Sequence, residues 1–246
     1  MKATVAVVTC TIGRKELEKA IESVKEQTRK ATHYVFVHGR EYKKAAHEVL
    51  LKHPDVIPVY LPHNTSLPDK SGYGYGMAGV YALAPYVVTE DVVCFLDDDN
   101  WYEPTHIENT VGMLEERDLG WVYALRKLVD QHGNYLLDDN CESLGMHPNA
   151  TGHYLVDNSC FVVRAEHAKR YGYAWYVRVV SDRSFQRALM DARLRCGTTG
   201  EHSVNYRIST DTPVSMPVAA FEANNKFMEQ KYNGVFPWKQ RAIFNY

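Results

Sequence analysis

The run Val92-Val93-Cys94-Phe95-Leu96, followed at once by Asp97-Asp98-Asp99-Asn100, constrains this chain more than any other stretch. Five apolar residues in a row suit a strand covered on both faces, as in the middle of a parallel sheet. Ligands of open α/β sheets bind outside the carboxyl ends of the strands, which is where these acids fall. Adjacent carboxylates repel one another, so the cluster costs stability unless a cation offsets it. In an extended chain alternate side chains share a face, so Asp97 and Asp99 are expected to point together and Asp98 elsewhere. Such an Asp-x-Asp pair can hold a hard divalent ion and leave its other positions to phosphate oxygens. A solvated acidic turn is the plainer alternative. The buried strand before the acids and the helix start at Glu103-Pro104 after them favour the metal site.

The residues before that strand read as repeated strand–helix units. Ala3 to Cys10 is a buried strand and Thr11-Ile12-Gly13-Arg14 its turn. Lys15 to Thr28 is an amphipathic helix, with Leu17, Ala20, Ile21 and Val24 at helical spacing. Tyr34 to His38 is a second strand, Tyr42 to Leu51 a helix, and Val56 to Leu61 a third strand that Pro58 places near an edge. This alternation predicts parallel βαβ units and a doubly wound, mostly parallel α/β sheet. Beyond the acids, Pro104 to Arg117 and Ser181 to Arg193 are helices, and Ala165 to Tyr171 a short one. Trp121–Val129 and Tyr135–Leu137 flank a turn at 131–134 and suggest a hairpin. Ser159–Val163 and Val204–Ile208 are further strands, Asp138–Gly152 is a loop, and the tail from Pro213 is expected to pack over the site.

Length and composition exclude several classes. At 246 residues the chain has room for an ample core. A net charge of −2 gives no electrostatic basis for general nucleic-acid binding. No apolar stretch reaches membrane-spanning length, and the first apolar run is too short for a signal peptide. Five widely spaced cysteines show no zinc spacing and suit buried free thiols in a reducing, cytoplasmic setting. Gly74-Tyr75-Gly76-Met77-Ala78-Gly79 matches Gly-x-Gly-x-x-Gly. A dinucleotide site would carry that fingerprint at the first strand–helix turn, which lacks it. These glycines, Gly76 among them, either bring backbone close to a ligand or pack a helix on the sheet.

Together these residues resemble glycosyltransferase family 2, of the GT-A fold. The resemblance rests on Val-Val-Thr-Cys-Thr-Ile-Gly-Arg at 7–14, Ala-Ile-Glu-Ser-Val-Lys-Glu-Gln-Thr at 20–28, Phe-Leu-Asp-Asp-Asp-Asn at 95–100, and Val180-Ser181-Asp182. It covers roughly residues 3–210 and implies one domain over 1–246. Residues 1–100 would form its nucleotide-sugar half, 101–210 its acceptor and catalytic half, and 211–246 a covering segment. The resemblance implies a nucleotide-sugar donor bound through Mn²⁺ or Mg²⁺. Asp97 would meet the ribose or a metal water, Asp98 the donor, and Asp99 the metal, with His202 as a further metal or diphosphate ligand. Thr9, Thr11 and Arg14 would line the base and ribose pocket. Asp182 falls at the family's late catalytic acid, and Tyr206-Arg207 at a late Tyr-Arg pair that puts Arg207 on the acceptor side. Where the family usually has Asp-Asp-Gly-Ser after the second strand, this chain has His38-Gly39-Arg40-Glu41. His38 then takes the place of the base-reading acid, and UDP is only modestly favoured.

The chemistry suits these residue types. A diphosphate leaving group develops negative charge that a carboxylate-held cation stabilises, and a carboxylate such as Asp182 can take the proton of an acceptor hydroxyl. Asp182 also fits a helix-start role, and His202 and Arg14 fit ordinary surface roles. Trp101 either stacks on a sugar or wedges the helix onto the sheet. Two rivals remain: a non-catalytic carbohydrate- or nucleotide-binding protein on the same fold, and a sugar nucleotidyltransferase. A phosphohydrolase would carry its nucleophile on the first strand and fits less well.

Overall fold

Apolar runs rich in β-branched residues form the strands, and helices with one apolar face cover them. The computed structural model describes residues 2–64, 77–140, 143–146, 154–177, 181–208 and 216–244. The first half runs β1 (Val5–Thr11), α1 (Leu17–Lys25), β2 (Thr32–His38), α2 (Lys43–Leu50), β3 (Ile57–Leu61), α3 (Ala78–Val87) and β4 (Val92–Asp97). Then come β5 (Trp101–Tyr102), α4 (His106–Glu116), β6 (Trp121–Val129), β7 (Tyr135–Asp138), β8 (Ser143–Met146) and β9 (Tyr154–Leu155). The chain continues with β10 (Phe161–Arg164), α5 (Ala165–Tyr171), α6 (Ser181–Asp191), β11 (Cys196–Arg207), α7 (Val218–Tyr232) and β12 (Ala242–Phe244).

One ten-stranded sheet carries the order β12-β11-β6-β10-β4-β1-β2-β3, with β5 added to β11 and β7 to β6. Strands β3, β2, β1 and β4 are mutually parallel. Strand β10 is antiparallel to both β4 and β6, and β11 is parallel to β6. The long strands therefore all run one way, with β10 reversed among them. Every residue of β1 and β4 is buried, as their mostly apolar sequences predict. Strand β3 lies at the edge, where Pro58 removes no ladder bond that a neighbour needs. Tyr81, Phe95, Phe161, Trp175 and Phe185 form one aromatic cluster, with Tyr81–Phe95 centroids 5.1 Å apart and Trp175–Phe185 4.4 Å apart. That cluster ties α3, β4, β10 and α6 together beneath the carboxyl edge.

Several boundaries differ from expectation for identifiable reasons. Strand β11 begins eight residues before Val204, because Gly197-Thr198-Thr199-Gly200 hides a buried strand behind polar and small residues. Gly197 leaves room for its neighbours: a Cβ would stand 2.6 Å from Leu119 Cδ1 and 2.7 Å from Met113 Cε of α4, so those side-chain ends would have to shift. Residues 158–160 form a short 3₁₀ turn rather than the start of β10. The expected loop at 138–152 contains β8, which pairs with β9. The tail forms α7, whose apolar residues follow no single stripe, and Phe221 docks on Leu128, Ile208 and Tyr206. Its last strand, β12, joins Cys196–Thr198 at the opposite end of β11, so only the helix lies near the carboxyl edge. Cys10, Cys94, Cys160 and Cys196 are buried free thiols, and Cys141 lies outside the described residues. No helix among the described residues is long and apolar enough to cross a membrane.

Candidate active site

Strand order reverses between β1 and β4: the chain winds outward through β2 and β3, then returns to the other side of β1. A crevice opens at such a reversal, outside the carboxyl ends of the two strands. The acids occupy it. Strand β4 ends at Asp97, and Asn100 N–H donates to the Asp97 carbonyl at 3.2 Å, so Asp98 and Asp99 lie in a turn. The strand alternation expected to turn Asp98 away therefore stops one residue too early. Asp98 and Asp99 instead share Arg14, whose Nη1 is 3.5 Å from Asp98 Oδ1 and 2.8 Å from Asp99 Oδ2. Thr11 Oγ1 donates to Asp98 Oδ2 at 2.7 Å and accepts from Gly13 N–H at 2.9 Å. Gly13 takes φ +78°, and a Cβ there would sit 2.8 Å from Ala45 of α2. That turn requires glycine.

Asp97 points inward. Its Oδ1 accepts from Tyr81 Oη at 2.7 Å and Asn158 Nδ2 at 2.6 Å, while Oδ2 receives a long 3.4 Å contact from Asn100 Nδ2. Ser159 Oγ accepts from Asp97 N–H at 3.2 Å and from Asn100 Nδ2 at 3.1 Å. Burial raises the Asp97 carboxyl well above the usual range, reinforced by the charges of Asp157 and Asp99. Burial likewise pushes Asp98 up to about 6 and raises Asp99, with Arg14 opposing in both. One guanidinium does not neutralise the cluster, and the excess negative charge suits a further cation.

Asp182 opens α6, and its Oδ1 accepts from Arg183 N–H at 2.8 Å. The residue is half-buried but its carboxyl is enclosed, and burial together with the Asp157 charge pushes it up to about 6. Asp157 acts on Asp97, Asp99 and Asp182 alike, so all three lie within electrostatic reach of it. Asp157 is itself held: Oδ2 accepts from Arg126 Nη1 at 2.5 Å and Oδ1 from Ser159 N–H at 3.0 Å. Arg126 also donates through Nε to Asp139 at 2.9 Å, and its guanidinium lies 4.2 Å from the Tyr206 ring centroid and 5.5 Å from that of Phe221.

Arg207 reaches the same crevice. Its backbone N–H donates to Asn100 Oδ1 at 3.0 Å and its Nε to the Asp99 carbonyl at 3.2 Å. The Trp101 ring lies beside it, 5.4 Å from the Arg207 guanidinium and 3.4 Å from Lys19 Nζ. His38 is buried at the end of β2, one residue past the Val37 that pairs with Thr11. Burial lowers its ring below the ordinary histidine range.

Two expected residues stand elsewhere, and a third is not among the described residues. Thr9 is fully buried and its hydroxyl bonds His33 Nε2 at 2.9 Å, so it does not line the crevice. His202 Nδ1 is 3.8 Å from Asp138, and the charges acting on its ring are Asp138, Lys239, Asp139 and Lys127. Its place on β11 turns it toward the β7 hairpin, apart from Asp97 and Asp99. Gly76 lies outside the described residues. Among the described residues no three His, Cys, Asp or Glu side chains form a preassembled metal site. Sequence reasoning missed Tyr81, Asn158, Ser159, Asp157 and Arg126. Asp157-Asn158-Ser159, polar and directly before an apolar strand, was the available signal for three of them.

Comparisons with known proteins agree with this architecture. The glycosyl transferase family 2 model matches residues 4–172, more than half of the chain. Solved structures of S. aureus TarS share the fold. Residues 1–349 of TarS superpose with TM-score 0.60 at 12% identity, over 83% of this chain and 60% of that one. The TarS complex with UDP-GlcNAc gives TM-score 0.62 at 11% identity, over 93% of this chain and 66% of that one. An uncharacterized protein from Haemophilus influenzae is 38% identical over 52 residues, 21% of this chain and 35% of its own length. The chain thus spans less than two thirds of these relatives. With the family model matched from β1 through α5 and a GT-A-type sheet around the acids, the chain belongs to glycosyl transferase family 2.

Proposed function

We propose that the protein transfers a sugar from a nucleoside diphosphate sugar to an acceptor hydroxyl. The observation that carries this reading is the carboxylate cluster at the β1/β4 reversal, with Asp182 and Asp97 both within electrostatic reach of Asp157. UDP is favoured as the nucleotide because TarS, which shares the fold, has been solved with UDP and with UDP-GlcNAc.

Asp97 and Asp99 are the residues that would hold a Mn²⁺ or Mg²⁺ ion, with the donor diphosphate completing its shell. The fit rests on the surplus of buried carboxylate over Arg14 and on Asp97 Oδ2, whose contact among the described residues is the long one from Asn100. Bound there, the ion would stabilise the charge that grows on the departing diphosphate. Arg14 and Arg207 flank that position and add positive charge. Thr11 orients Asp98 at the same edge.

In the transfer, the acceptor oxygen forms a bond to the anomeric carbon as the bond from that carbon to the diphosphate oxygen breaks. The acceptor proton passes to an Asp182 carboxylate oxygen. A group at about 6 is ionised at neutral pH yet retains appreciable proton affinity, which suits a general base. With Asp182 as the base, the reading is direct displacement with inversion, as the family resemblance implies. Trp101, already against two cations, would form one wall of the acceptor side.

Thermal-shift measurements with nucleoside diphosphates and sugar nucleotides, with and without Mn²⁺, test the donor. Ligand at a hundred times its dissociation constant stabilises by about 2.7 kcal/mol. No shift with any sugar nucleotide would overturn the proposal. NMR of the first-formed product tests inversion, and retention of the donor configuration would rule out direct displacement.

A further inference from the structure

Helix α2 and the turn before it carry a feature that neither the fold nor the proposed site uses. Arg40, Lys43, Lys44 and His47 recur at i, i+3, i+4 and i+7, so they lie along one face, and all four are exposed. Several other cations are ion-paired, as in Arg29–Glu115, Arg126–Asp157, Arg164–Asp118 and Arg241–Glu116. Among the described residues, no carboxylate lies within ion-pair distance of Arg40, Lys43 or Lys44. Glu41 approaches Gly39 and lines a shallow hollow with Arg40, Lys43 and Lys44, and Glu48 follows Lys44 by one turn, so the three cations outnumber two acids along this face.

Apolar groups continue the same face. Leu51, one turn beyond His47, is 68% exposed. Tyr60 of the edge strand β3 is 38% exposed, with Lys43 Nζ 5.2 Å from its ring centroid and His47 Nδ1 3.4 Å from its hydroxyl. Two shallow hollows of about 270 and 460 Å³ separate these side chains, both lined by Arg40 and Lys43. From Arg40 to Leu51 the stripe is about 16 Å long at 1.5 Å per residue.

We infer that this face docks on a membrane surface bearing anionic lipid. Unpaired cations complement the negative headgroups, and their long stems let the charges rest at headgroup level. Leu51 and Tyr60 are the side chains that such an interface accepts alongside the cations, and a hydrated polyanion offers them nothing. The protein's overall charge is −2, so attraction comes from this patch and not from the molecule as a whole. Gly39 joins His38 directly to Arg40, so the end of the stripe nearest the crevice is also its most basic. Docking therefore sets the mouth of the proposed site beside the bilayer.

Vesicle co-sedimentation of the full chain tests this, comparing phosphatidylcholine alone with phosphatidylcholine containing about a third phosphatidylglycerol. Each Lys or Arg near an anionic surface strengthens binding about fivefold. The double variant K43E/K44E should therefore lose at least about 25-fold in partitioning, with an unchanged melting temperature. Raising salt from about 0.1 to 1 M should release the wild type, as the screening length drops from about 10 to 3 Å. Should the double variant fold poorly, K43Q/K44Q and the wild-type salt series read the same effect. The control R187E/K231E, on other helices, should bind like wild type. Equal binding to both vesicle types, unchanged binding of K43E/K44E, or binding to a soluble polyanion but not to vesicles would overturn the inference. None of these readouts depends on glycosyl transfer, so failure here leaves the donor proposal standing, and the reverse.

Discussion

Replacing Asp182 with Asn separates catalysis from architecture, because the two readings predict opposite changes in stability. The carboxyl rises from 3.8 to about 6 through burial and the neighbouring Asp157 charge. Each pH unit of that rise corresponds to about 1.4 kcal/mol, so keeping the group ionised costs up to about 3 kcal/mol above pH 6. The folded-state value is the higher one. Its favourable contribution is therefore full below the ordinary value of 3.8 and is lost as pH rises through about 6. Asn carries no charge, so Asp182→Asn should melt at or above the wild-type temperature at pH 8, by up to several degrees at about 2–4 °C per kcal/mol. Turnover should fall about 10²- to 10⁴-fold, the usual contribution of a general base. The wild-type rate should also drop about tenfold per pH unit below pH 6, a limb the Asn variant lacks. Donor affinity, made by the β1 and β4 ends, should stay unchanged. Turnover measured as nucleotide release, with melting curves and donor binding on the same sample, checks all of this. Near-normal turnover with a lowered melting temperature would refute the base and leave Asp182 as a helix-start residue.

Asp99→Asn should weaken Mn²⁺-assisted UDP binding while leaving apo stability equal or higher, since repulsion with Asp98 falls; calorimetry showing equal UDP affinity in Mn²⁺ and in EDTA would contradict this. Tyr81→Phe removes the 2.7 Å hydrogen bond to Asp97. With a charged acceptor that bond is worth about 1.5–3 kcal/mol, so a urea midpoint indistinguishable from wild type would count against an ionised, Tyr81-held Asp97. Arg126→Met strands Asp139 and Asp157 without their shared cation. The expected loss is about 3–5 kcal/mol in chemical unfolding, and a midpoint equal to that of the wild type would refute a structural role for this shared cation.

The strands that announce themselves are those buried on both faces. Val5–Thr11 and Val92–Asp97 are mostly apolar and wholly buried, and their position fixed where the acids would emerge. Strand β11 is equally buried at Cys196–Thr199 but is written in glycine and threonine, where α4 packs close to Gly197. Helix α7 offers no single apolar stripe, since only Phe221, Asn224 and Met228 are buried along it. In the site, Asp97, Asp98, Asp99, Arg14, Thr11 and Arg207 were legible because they sit in or next to strand ends. Tyr81 and Asn158 were not: each reaches Asp97 from an element remote in sequence, and no local pattern encodes that meeting. Thr9 illustrates the reverse error, since its neighbour His33 across the ladder claims the hydroxyl before any ligand can.

Strand β10 runs against its neighbours, and this decides where the chain is free to vary. Strand β6 leaves the sheet at the carboxyl edge, and β10 enters it from that same edge with Asp157-Asn158-Ser159 at its threshold. Both ends of the connection from Val129 to Asn158 thus lie on one side. A parallel strand in that place would have sent the connection across to the other rim. Residues can be added at the connection's exposed turn around His132 without shifting β4, the aromatic cluster below it or the opposite edge. Related chains can therefore remodel what covers the crevice while its floor keeps its register.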